Sequence, residues 1–460
     1  MIHNLLGVFC PFWSDEGPHF VLPHFQGIMK TLGANASILD LNIEAARRLK
    51  SDWLGLSTNK DGIWSNPDAI AQRMKEAKVF EILKAAIIDR RPSWVVFLSV
   101  NIASQHVARF LMREIRNAFP DSGIHIAVGG PICFHLENPR AVFPEADLVW
   151  SGTLETALPR LFDRSAFEAI QNFSMPRFKP DFTGIDMTKY SKPERLPYLL
   201  NYGCHFRCHF CHEGAQYSHE IMRPVKGLTE ELRTIISKRP CMRYIRFNDG
   251  SLNSHNGQFL KLLDELCDGD LFWGCNITPT KSIDSKIARK MAAAGCMGVN
   301  IGVESGSTAV RLLMKKPIPL IDIVESCIRD VNAAGLDVSI NLMVGYPGET
   351  EKHTKETLAF LDRMGNYLTD VRVGKTAIYA GTPLFEQVKE LGIVLNGDIK
   401  NEFFFNFWAL ADGSNTPAVR EDRFLRIESH LSHLGFNNAS SKYAEDPGRR
   451  SLRRLGICVG

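Results

Sequence analysis

The sequence predicts an α/β protein with two successive parallel sheets and a small C-terminal segment. Short apolar runs of strand length alternate with helix-like stretches in residues 1–165, and a second alternation of this kind begins near residue 196. The composition is 45% hydrophobic and 23% charged, which is typical of a soluble globular protein. A chain of 460 residues is long enough for about three domains.

Residues 1–165 are predicted to form a Rossmann-like domain. Helices are expected at 24–32, 105–118 and 156–162, and strands that alternate with helices imply a parallel sheet covered on both faces. The polar, aperiodic residues 51–73 are predicted to be an insertion. The predicted strands are residues 5–9, 37–41, 95–100, 124–128 and 147–150.

Residues 166–195 lack periodicity and contain several prolines, which predicts a linker. Six strand–helix alternations follow, which favour a partial (β/α)6 barrel over residues 196–390. Residues 391–460 are more polar and are predicted to form a mostly helical segment, with aromatic residues at 403–408. The predicted strands are 196–201, 244–248, 272–277, 298–303, 338–344 and 371–377, and the predicted helices are 229–238, 259–266, 284–294, 321–334, 352–364 and 420–434.

Charge and apolar patterning exclude several classes of function. The net charge of +3 is nearly balanced, so nucleic acid is not expected as the main partner. No apolar stretch is long enough to span a bilayer, and the first residues lack the features of a signal peptide. Because the 11 cysteines also argue against a disulfide framework, a cytoplasmic protein is expected.

Three cysteines follow the first strand of the second series with the spacing CxxxCxxC. Cys204, Cys208 and Cys211 can face one point only if their loop wraps around it, and three soft thiolates suit an iron–sulfur cluster. A four-iron cluster would keep one iron open for a ligand. The alternative is a zinc site, which normally takes a fourth protein ligand. That ligand would come from His205, His209 or His212.

The cysteine motif, with the aromatic Phe210 just before its last cysteine, resembles the signature of the radical S-adenosylmethionine (SAM) superfamily. The resemblance implies a [4Fe-4S] cluster whose open iron binds the amino and carboxylate groups of SAM. It also implies an external electron donor, such as flavodoxin or ferredoxin, and a 5′-deoxyadenosyl radical that abstracts hydrogen from a small-molecule substrate. The residues that the resemblance implies for SAM binding are Phe210, Asp249, Asn276, Glu304, Lys316, Asn341 and Gly345.

These residues take different parts in the resemblance. Asp249 corresponds to the contact with the SAM amino group, Glu304 to a residue near the ribose or sulfonium, and Lys316 to a base facing the carboxylate. Asn341 and Gly345 lie in a segment that resembles the family's GxPGET sequence near adenine and ribose. Asn276 departs from the family, where this position is often acidic.

The order of a βα sheet, a linker and a barrel resembles the cobalamin-binding branch of this superfamily. Ser99 is then expected below the cobalt, and Gly129 and Gly130 beside the nucleotide tail. The histidine motif DxHxxG is missing after the first strand, and His19 and His106 are expected to be core or surface residues. Two interpretations stay open: cobalamin bound without a histidine ligand, or a domain that has lost the cofactor.

The resemblance implies a cobalamin-dependent radical SAM methyltransferase that acts on an unactivated carbon of a natural-product or cofactor-type substrate. Non-methylating radical chemistry, such as cyclisation, ring rearrangement or oxidation, is the alternative within the same class. A non-catalytic cobalamin or metal sensor is a second class, which would not need the SAM-binding strand ends. The tRNA-methylthiolating relatives are disfavoured, because they carry further cluster cysteines in their N-terminal domain.

Overall fold

The computed structural model divides into two compact units. The first extends to Pro193, and the second begins at Glu194. Part of the predicted linker (166–177), residue 403 and the end of the C-terminal segment (437–460) lie outside the described residues. The structure describes residues 4–59, 63–134, 136–161, 178–217, 220–239, 241–267, 270–397 and 404–436.

The first unit contains a sheet of five parallel strands in the order β2-β1-β3-β4-β5. Its central strands are buried on both faces, which explains why they are continuous apolar runs. The strand order reverses between β1 and β3, where ligands of doubly wound sheets bind beyond the carboxyl ends. The strands are β1 Asn4–Phe9, β2 Asn35–Asp40, β3 Trp94–Leu98, β4 His125–Gly129 and β5 Leu148–Trp150.

Helices cover this sheet, and their bounds agree with the prediction where the apolar spacing is regular. Residues 105–118 form one helix as predicted, because apolar residues recur along the single face that it buries. The helices are α1 Val21–Thr31, α2 Leu41–Leu49, α3 Trp53–Thr58, α4 Pro67–Glu76, α5 Val79–Arg90, α6 Gln105–Ala118, α7 Pro139–Val142 and α8 Leu154–Leu161.

The described part of residues 51–73, which are predicted to be an insertion, is largely helical, and the sequence analysis did not predict these helices. Helix α3 and most of α4 lie in it, and Asn66 caps α4 through a 3.0 Å bond from the backbone N–H of Ala69. Only Ile70 and Met74 of α4 are buried, so its apolar face is too sparse to recognise from the sequence.

Residues 178–193, expected to belong to a linker, pack on the first unit. The backbone N–H of Asp181 donates to the carbonyl of Pro23 at 2.8 Å, and the hydroxyl of Tyr190 donates to Asp40 at 2.6 Å. Lys192 forms a buried ion pair with Glu16. Backbone and side-chain contacts with the rest of the first unit, rather than long helices or strands, hold this segment, which explains its irregular sequence.

The second unit contains six parallel strands that neighbour one another in sequence order, from β6 at one edge to β13 at the other. The carboxyl ends of all six strands meet at one edge of the sheet, where βα folds place ligands. The parallel strands are β6 Arg195–Tyr198, β9 Tyr244–Phe247, β10 Phe272–Ile277, β11 Cys296–Glu304, β12 Asp337–Val344 and β13 Asp370–Lys375.

The helices of this unit follow the strands closely, as predicted. No helix in the described part of the chain is both long and apolar enough to cross a membrane. The helices are α9 His212–Gln216, α10 Leu228–Ser237, α11 Asn256–Glu265, α12 Ser285–Ala293, α13 Thr308–Leu313, α14 Ile321–Ala333, α15 Glu351–Met364, α16 Pro383–Glu386 and α17 Pro417–His433.

Short antiparallel ribbons complete the second unit, and the sequence did not predict them. Two of them involve the segment after residue 391, so its described part is less helical than expected. Strands of two or three residues carry too little alternation to recognise in a sequence. The ribbons pair β7 Asn201–Tyr202 with β8 Ile221–Met222, β14 Ile378–Tyr379 with β16 Phe404–Phe405, and β15 Ile393–Leu395 with β17 Trp408–Leu410.

Candidate functional site

The cysteine motif lies in a loop between β7 and α9, at the carboxyl edge of the six-stranded sheet. The loop turns sharply at Gly203, which has a φ of +76° and leaves no room for a side chain beside Tyr217. The backbone N–H of Cys211 donates to the carbonyl of Cys208 at 3.1 Å, and Arg207 donates to the carbonyl of Tyr217 at 2.8 Å. These contacts wrap the loop on itself.

The three thiols of this loop are unpaired, partly exposed and close to one another. Burial and, to a smaller extent, the nearby thiolates of Cys211 and Cys208 raise the pKa of Cys204 to about 12. Burial also raises the pKa of Cys211 to about 12. Across the described ranges, no three Cys, His, Asp or Glu side chains converge on one metal ion. The thiols fit a cluster, because each would bind a different iron.

The histidines of the motif have other contacts. The backbone N–H of His209 donates to the carbonyl of Met314 at 2.9 Å, and its Nδ1 lies 2.9 Å from the hydroxyl of Tyr346. The ring of His205 lies 5.0 Å from that of His255, centroid to centroid. His209 therefore ties the loop to α13 and to the turn after β12.

Positive charge faces the loop on the Cys208 side. The side chain of the buried Lys316 forms an ion pair with Glu304 at 3.4 Å. Glu304 is the last residue of β11 and has a positive φ of +67°. The guanidinium group of the buried Arg311 donates hydrogen bonds to backbone carbonyl oxygens of neighbouring residues. Burial raises the pKa of Cys208, whereas Lys316 and Arg311 lower it and Glu304 raises it. These charges therefore lie close to that thiol.

Phe210, in the cysteine loop, lies against the turn that follows β12. The ring of Phe210 is edge-on to Tyr346 at 6.4 Å between centroids, and Lys316 lies 5.9 Å from the centre of the Phe210 ring. Gly345 has a φ of +78°, and its N–H donates to the carboxylate of Glu349 at 2.7 Å. Asn341 is half-buried on β12.

Asp249 and Asn276 hold the chain that leads into the cysteine loop. Asp249 is 1% exposed, and its carboxylate accepts hydrogen bonds from the backbone N–H groups of Asn201, at 2.7 Å, and Leu200, at 3.3 Å. The amide of Asn276 donates to the Asp249 carbonyl at 2.8 Å and accepts from Arg246 at 2.5 Å. Burial raises the pKa of Asp249 to about 7. Both carboxylate oxygens of Asp249 already accept hydrogen bonds from backbone N–H groups. The contact between Asp249 and SAM therefore stays a prediction.

Sequence reasoning missed one acid beside the cysteine loop. Glu220 directly precedes β8, and its side chain is 3% exposed. The sequence gives little signal for it, because only the short ribbon β7–β8 brings it near Cys204, whose pKa it raises.

In the first unit, the residues predicted to contact cobalamin meet at the carboxyl ends of β3 and β4. The N–H of Val100 donates to the carbonyl of Gly129 at 2.9 Å, which joins the two loops. Ser99 is half-buried with a φ of +52°. A Cβ on Gly129 would overlap the indole of Trp150, and one on Gly130 would overlap the Val100 backbone. Packing inside the unit therefore accounts for both glycines.

His19 is a core residue, as expected. Its ring lies 4.7 Å from that of Phe9, 4.9 Å from Trp13 and 4.5 Å from Phe20, between centroids. Its Nδ1 accepts a hydrogen bond from the N–H of Val21. Burial lowers the pKa of His19 to about 3, so the ring is neutral. The pKa of His106 is lowered to about 4, first by burial and then by Arg109.

Comparisons with known proteins find a family match over the second unit and similar proteins over most of the chain. Residues 198–361 match the model of the radical SAM superfamily. The chain is 22% identical over 313 residues to the bacteriochlorophyllide d C-8(2)-methyltransferase of Chlorobaculum tepidum, covering 64% of this chain and 69% of that one. It is 24% identical over 317 residues to a tRNA-2-methylthio-N(6)-dimethylallyladenosine synthase of Pseudomonas paraeruginosa, with the same coverage.

Two solved structures are similar over nearly the whole chain. The radical SAM methyltransferase TsrM of Kitasatospora setae, with cobalamin and a [4Fe-4S] cluster bound, has a TM-score of 0.65 at 15% identity and covers 100% of this chain and 96% of its own. The cobalamin-dependent SAM radical enzyme OxsB with aqua-cobalamin bound has a TM-score of 0.64 at 13% identity. The match covers 99% of this chain and 76% of the OxsB chain. Residues 198–361 are therefore similar to the radical SAM superfamily, and the fold of the chain is similar to that of the cobalamin-dependent enzymes TsrM and OxsB.

Proposed function

We propose that the protein is a cobalamin-dependent radical SAM methyltransferase that methylates an unactivated carbon of a small molecule. The observation that carries this proposal is the loop of three neighbouring thiols at the carboxyl edge of the six-stranded sheet. We infer that this sheet is a partial barrel. The likeness of the whole chain to TsrM and OxsB supports the cobalamin part, and the bacteriochlorophyllide methyltransferase supports methylation.

Cys204, Cys208 and Cys211 would hold the cluster, which when bound supplies the electron for reductive cleavage of SAM. Around them the chain provides binding and orientation. Lys316 and Arg311 offer positive charge for a carboxylate on the Cys208 side. Phe210 and the turn that starts at Gly345 would cover adenosine and limit the access of water.

A cobalamin site in the first unit would use the joined loops after β3 and β4. Their position at the carboxyl edge, beside the reversal of strand order, is where parallel sheets of this type bind ligands. His19 is packed among aromatic rings, so the donor set fits cobalamin held without a histidine ligand. Cobalamin would serve as the methyl carrier. Ser99 would lie below the cobalt, and Gly129 and Gly130 beside the tail.

The substrate proposed is a small organic molecule, and the reductant an external one-electron carrier such as flavodoxin or ferredoxin. The relatives of the chain include both methyltransferases and a cyclase, the anaerobic magnesium-protoporphyrin IX monomethyl ester cyclase of Rubrivivax gelatinosus, which is 24% identical over 191 residues. Cyclisation is therefore the second candidate function. The products formed from SAM distinguish cyclisation from methylation.

The test is to reconstitute the full chain anaerobically with iron, sulfide and cobalamin, and then to add SAM and a reductant. A methyltransferase of this type forms 5′-deoxyadenosine from one SAM and S-adenosylhomocysteine from another, and both are measured by mass spectrometry. The matched control replaces Cys204, Cys208 and Cys211 by alanine. Formation of 5′-deoxyadenosine alone would favour cyclisation, and formation of neither product by protein with a full cluster would contradict radical SAM chemistry.

A further inference from the structure

The segment between β17 and α17 packs against the turn that follows β12. Asn415 in this segment is 1% exposed, and its side-chain amide donates hydrogen bonds to the backbone carbonyls of Gly345, at 2.9 Å, and Tyr346, at 3.3 Å. The carboxylate of Glu349 accepts hydrogen bonds from the N–H groups of the same two residues. The carbonyls of the turn are therefore held by Asn415 and its N–H groups by Glu349.

Arg420, near the start of α17, supports Asn415. Its guanidinium donates to the carbonyl of Asn415 at 3.0 Å and to that of Trp408 at 2.7 Å, and it lies 3.9 Å from the centre of the Trp408 ring. The indole N–H of Trp408 donates to the carbonyl of Thr376 at 2.9 Å, just beyond β13. Arg420 is 2% exposed. Buried networks of this kind rigidify the groups that they join, so Asn415 has a fixed support.

The fit between the turn and α17 is close at Gly345. A Cβ on this residue would lie 2.2 Å from Cγ and 2.3 Å from Cδ of Arg420. A side chain at residue 345 would therefore push the turn away from the helix. The backbone of the turn touches the C-terminal segment directly, as well as through Asn415.

The other side of the turn contacts the cysteine loop. The hydroxyl of Tyr346 lies 2.9 Å from Nδ1 of His209, which stands between two of the three motif cysteines, and it donates to the carbonyl of Leu313 at 3.3 Å. A continuous set of contacts thus runs from Asn415 through Tyr346 to the cysteine loop. The orientation of the turn depends on residues that follow the six-stranded sheet in the chain.

We propose that Asn415 is a positioning residue for SAM, which holds the turn that starts at Gly345 in the orientation that binds the adenosine part. Arg420 in turn holds Asn415. This inference rests on the proposed function, because it takes SAM as the ligand of the turn. Asn415 acts through the backbone of the turn and does not itself contact SAM. The described part of the C-terminal segment thereby contributes to the site.

The test compares Asn415→Leu with wild type in the anaerobically reconstituted full chain. Leucine is close to asparagine in size but lacks its N–H donors, so two buried carbonyls lose a partner. Affinities are measured by equilibrium dialysis of radiolabelled SAM, with 5′-methylthioadenosine and methionine as competitors that carry the adenosine part and the amino-acid part. Binding of SAM and 5′-methylthioadenosine should weaken about 5- to 30-fold, and methionine binding should stay unchanged.

Two further variants complete the comparison. Asn332→Leu is the matched control, because the amide of Asn332 also donates to a backbone carbonyl, that of Tyr367 at 3.2 Å, at the end of a different helix. It should bind all three ligands as wild type does. Asn415→Ala introduces no bulk and should give the same pattern as Asn415→Leu, and thermal unfolding shows that each variant is folded.

Unchanged affinity for SAM and 5′-methylthioadenosine in both folded Asn415 variants would overturn the proposal. Equal weakening of methionine binding would also overturn it, because the defect would then not be specific to the adenosine part. The same losses in Asn332→Leu would show that any lost amide bond in the unit has this effect. Binding is measured without turnover, so wild-type protein that binds SAM but forms no 5′-deoxyadenosine would contradict the proposed function and not this inference.

Discussion

Replacing Gly129 by alanine separates two explanations of the glycine pair after β4. If packing requires the glycine, the new Cβ would lie 2.0 Å from Cε2 of Trp150, which is 6% exposed in the core of the first unit. A fused ring has no flexible end that can move aside. Overpacking of this kind costs about 1–3 kcal/mol. A unit of this size should then unfold at a temperature lower by about 2–12 °C.

The assay is differential scanning calorimetry of the full chain, in which the proposed cobalamin site assigns to the first unit the transition that added cobalamin shifts. Gly55→Ala is the matched control, because a Cβ at this helical position meets nothing within 4 Å. Adding Trp150→Leu to Gly129→Ala should cost less than the sum of the two single changes, since both alter one contact. Unchanged unfolding of Gly129→Ala with loss of cobalamin binding would refute the packing explanation.

Other substitutions test neighbouring contacts. Asp249→Ala should lower the stability of the second unit by about 1–3 kcal/mol and reduce iron content, because the N–H groups of Leu200 and Asn201 lose their acceptor; wild-type values of both would contradict this. The folded-state pKa of His19, about 3, lies below its ordinary value, so stability should fall by about 2 kcal/mol from pH 7 to pH 5 as the unfolded chain gains a proton. Thermal unfolding of the His19→Phe variant should not show this pH dependence. An equal loss of stability in the variant and in the wild type would show that His19 is not its cause. The Co(II) form of the cobalamin-loaded protein should show no histidine nitrogen splitting in electron paramagnetic resonance, with or without replacement of His19 or His106, and clear splitting would refute a histidine-free site.

The fold was predictable where each element repeats one simple pattern. Strand β10 was predicted with the observed bounds, because a strand buried in a parallel sheet is a continuous apolar run. Helix α5 was not predicted, since it is apolar on several sides and its residues lack a clear period. The ribbons depend on pairing between distant short segments, which no local pattern encodes.

The site was predictable in its chemistry but less so in its geometry. The spacing of Cys204, Cys208 and Cys211 indicated a soft-ligand loop, and the structure places Cys208 and Cys211 close enough to Cys204 to raise the pKa of its thiol. The position of Asp249 after β9 suggested a ligand contact, yet its carboxylate binds backbone that only the fold brings near. Glu220 could not be found from the sequence, because its burial depends on the pairing of β7 with β8.

The most direct test of the two-cofactor account is the joint measurement of iron and cobalamin in the reconstituted full chain. We expect about four irons and one cobalamin per chain. The variant in which alanine replaces Cys204, Cys208 and Cys211 should lose the iron and keep the cobalamin, since the two sites are proposed for different units. Retention of a full cluster in that variant, or failure of the wild-type chain to bind cobalamin at all, would contradict the account.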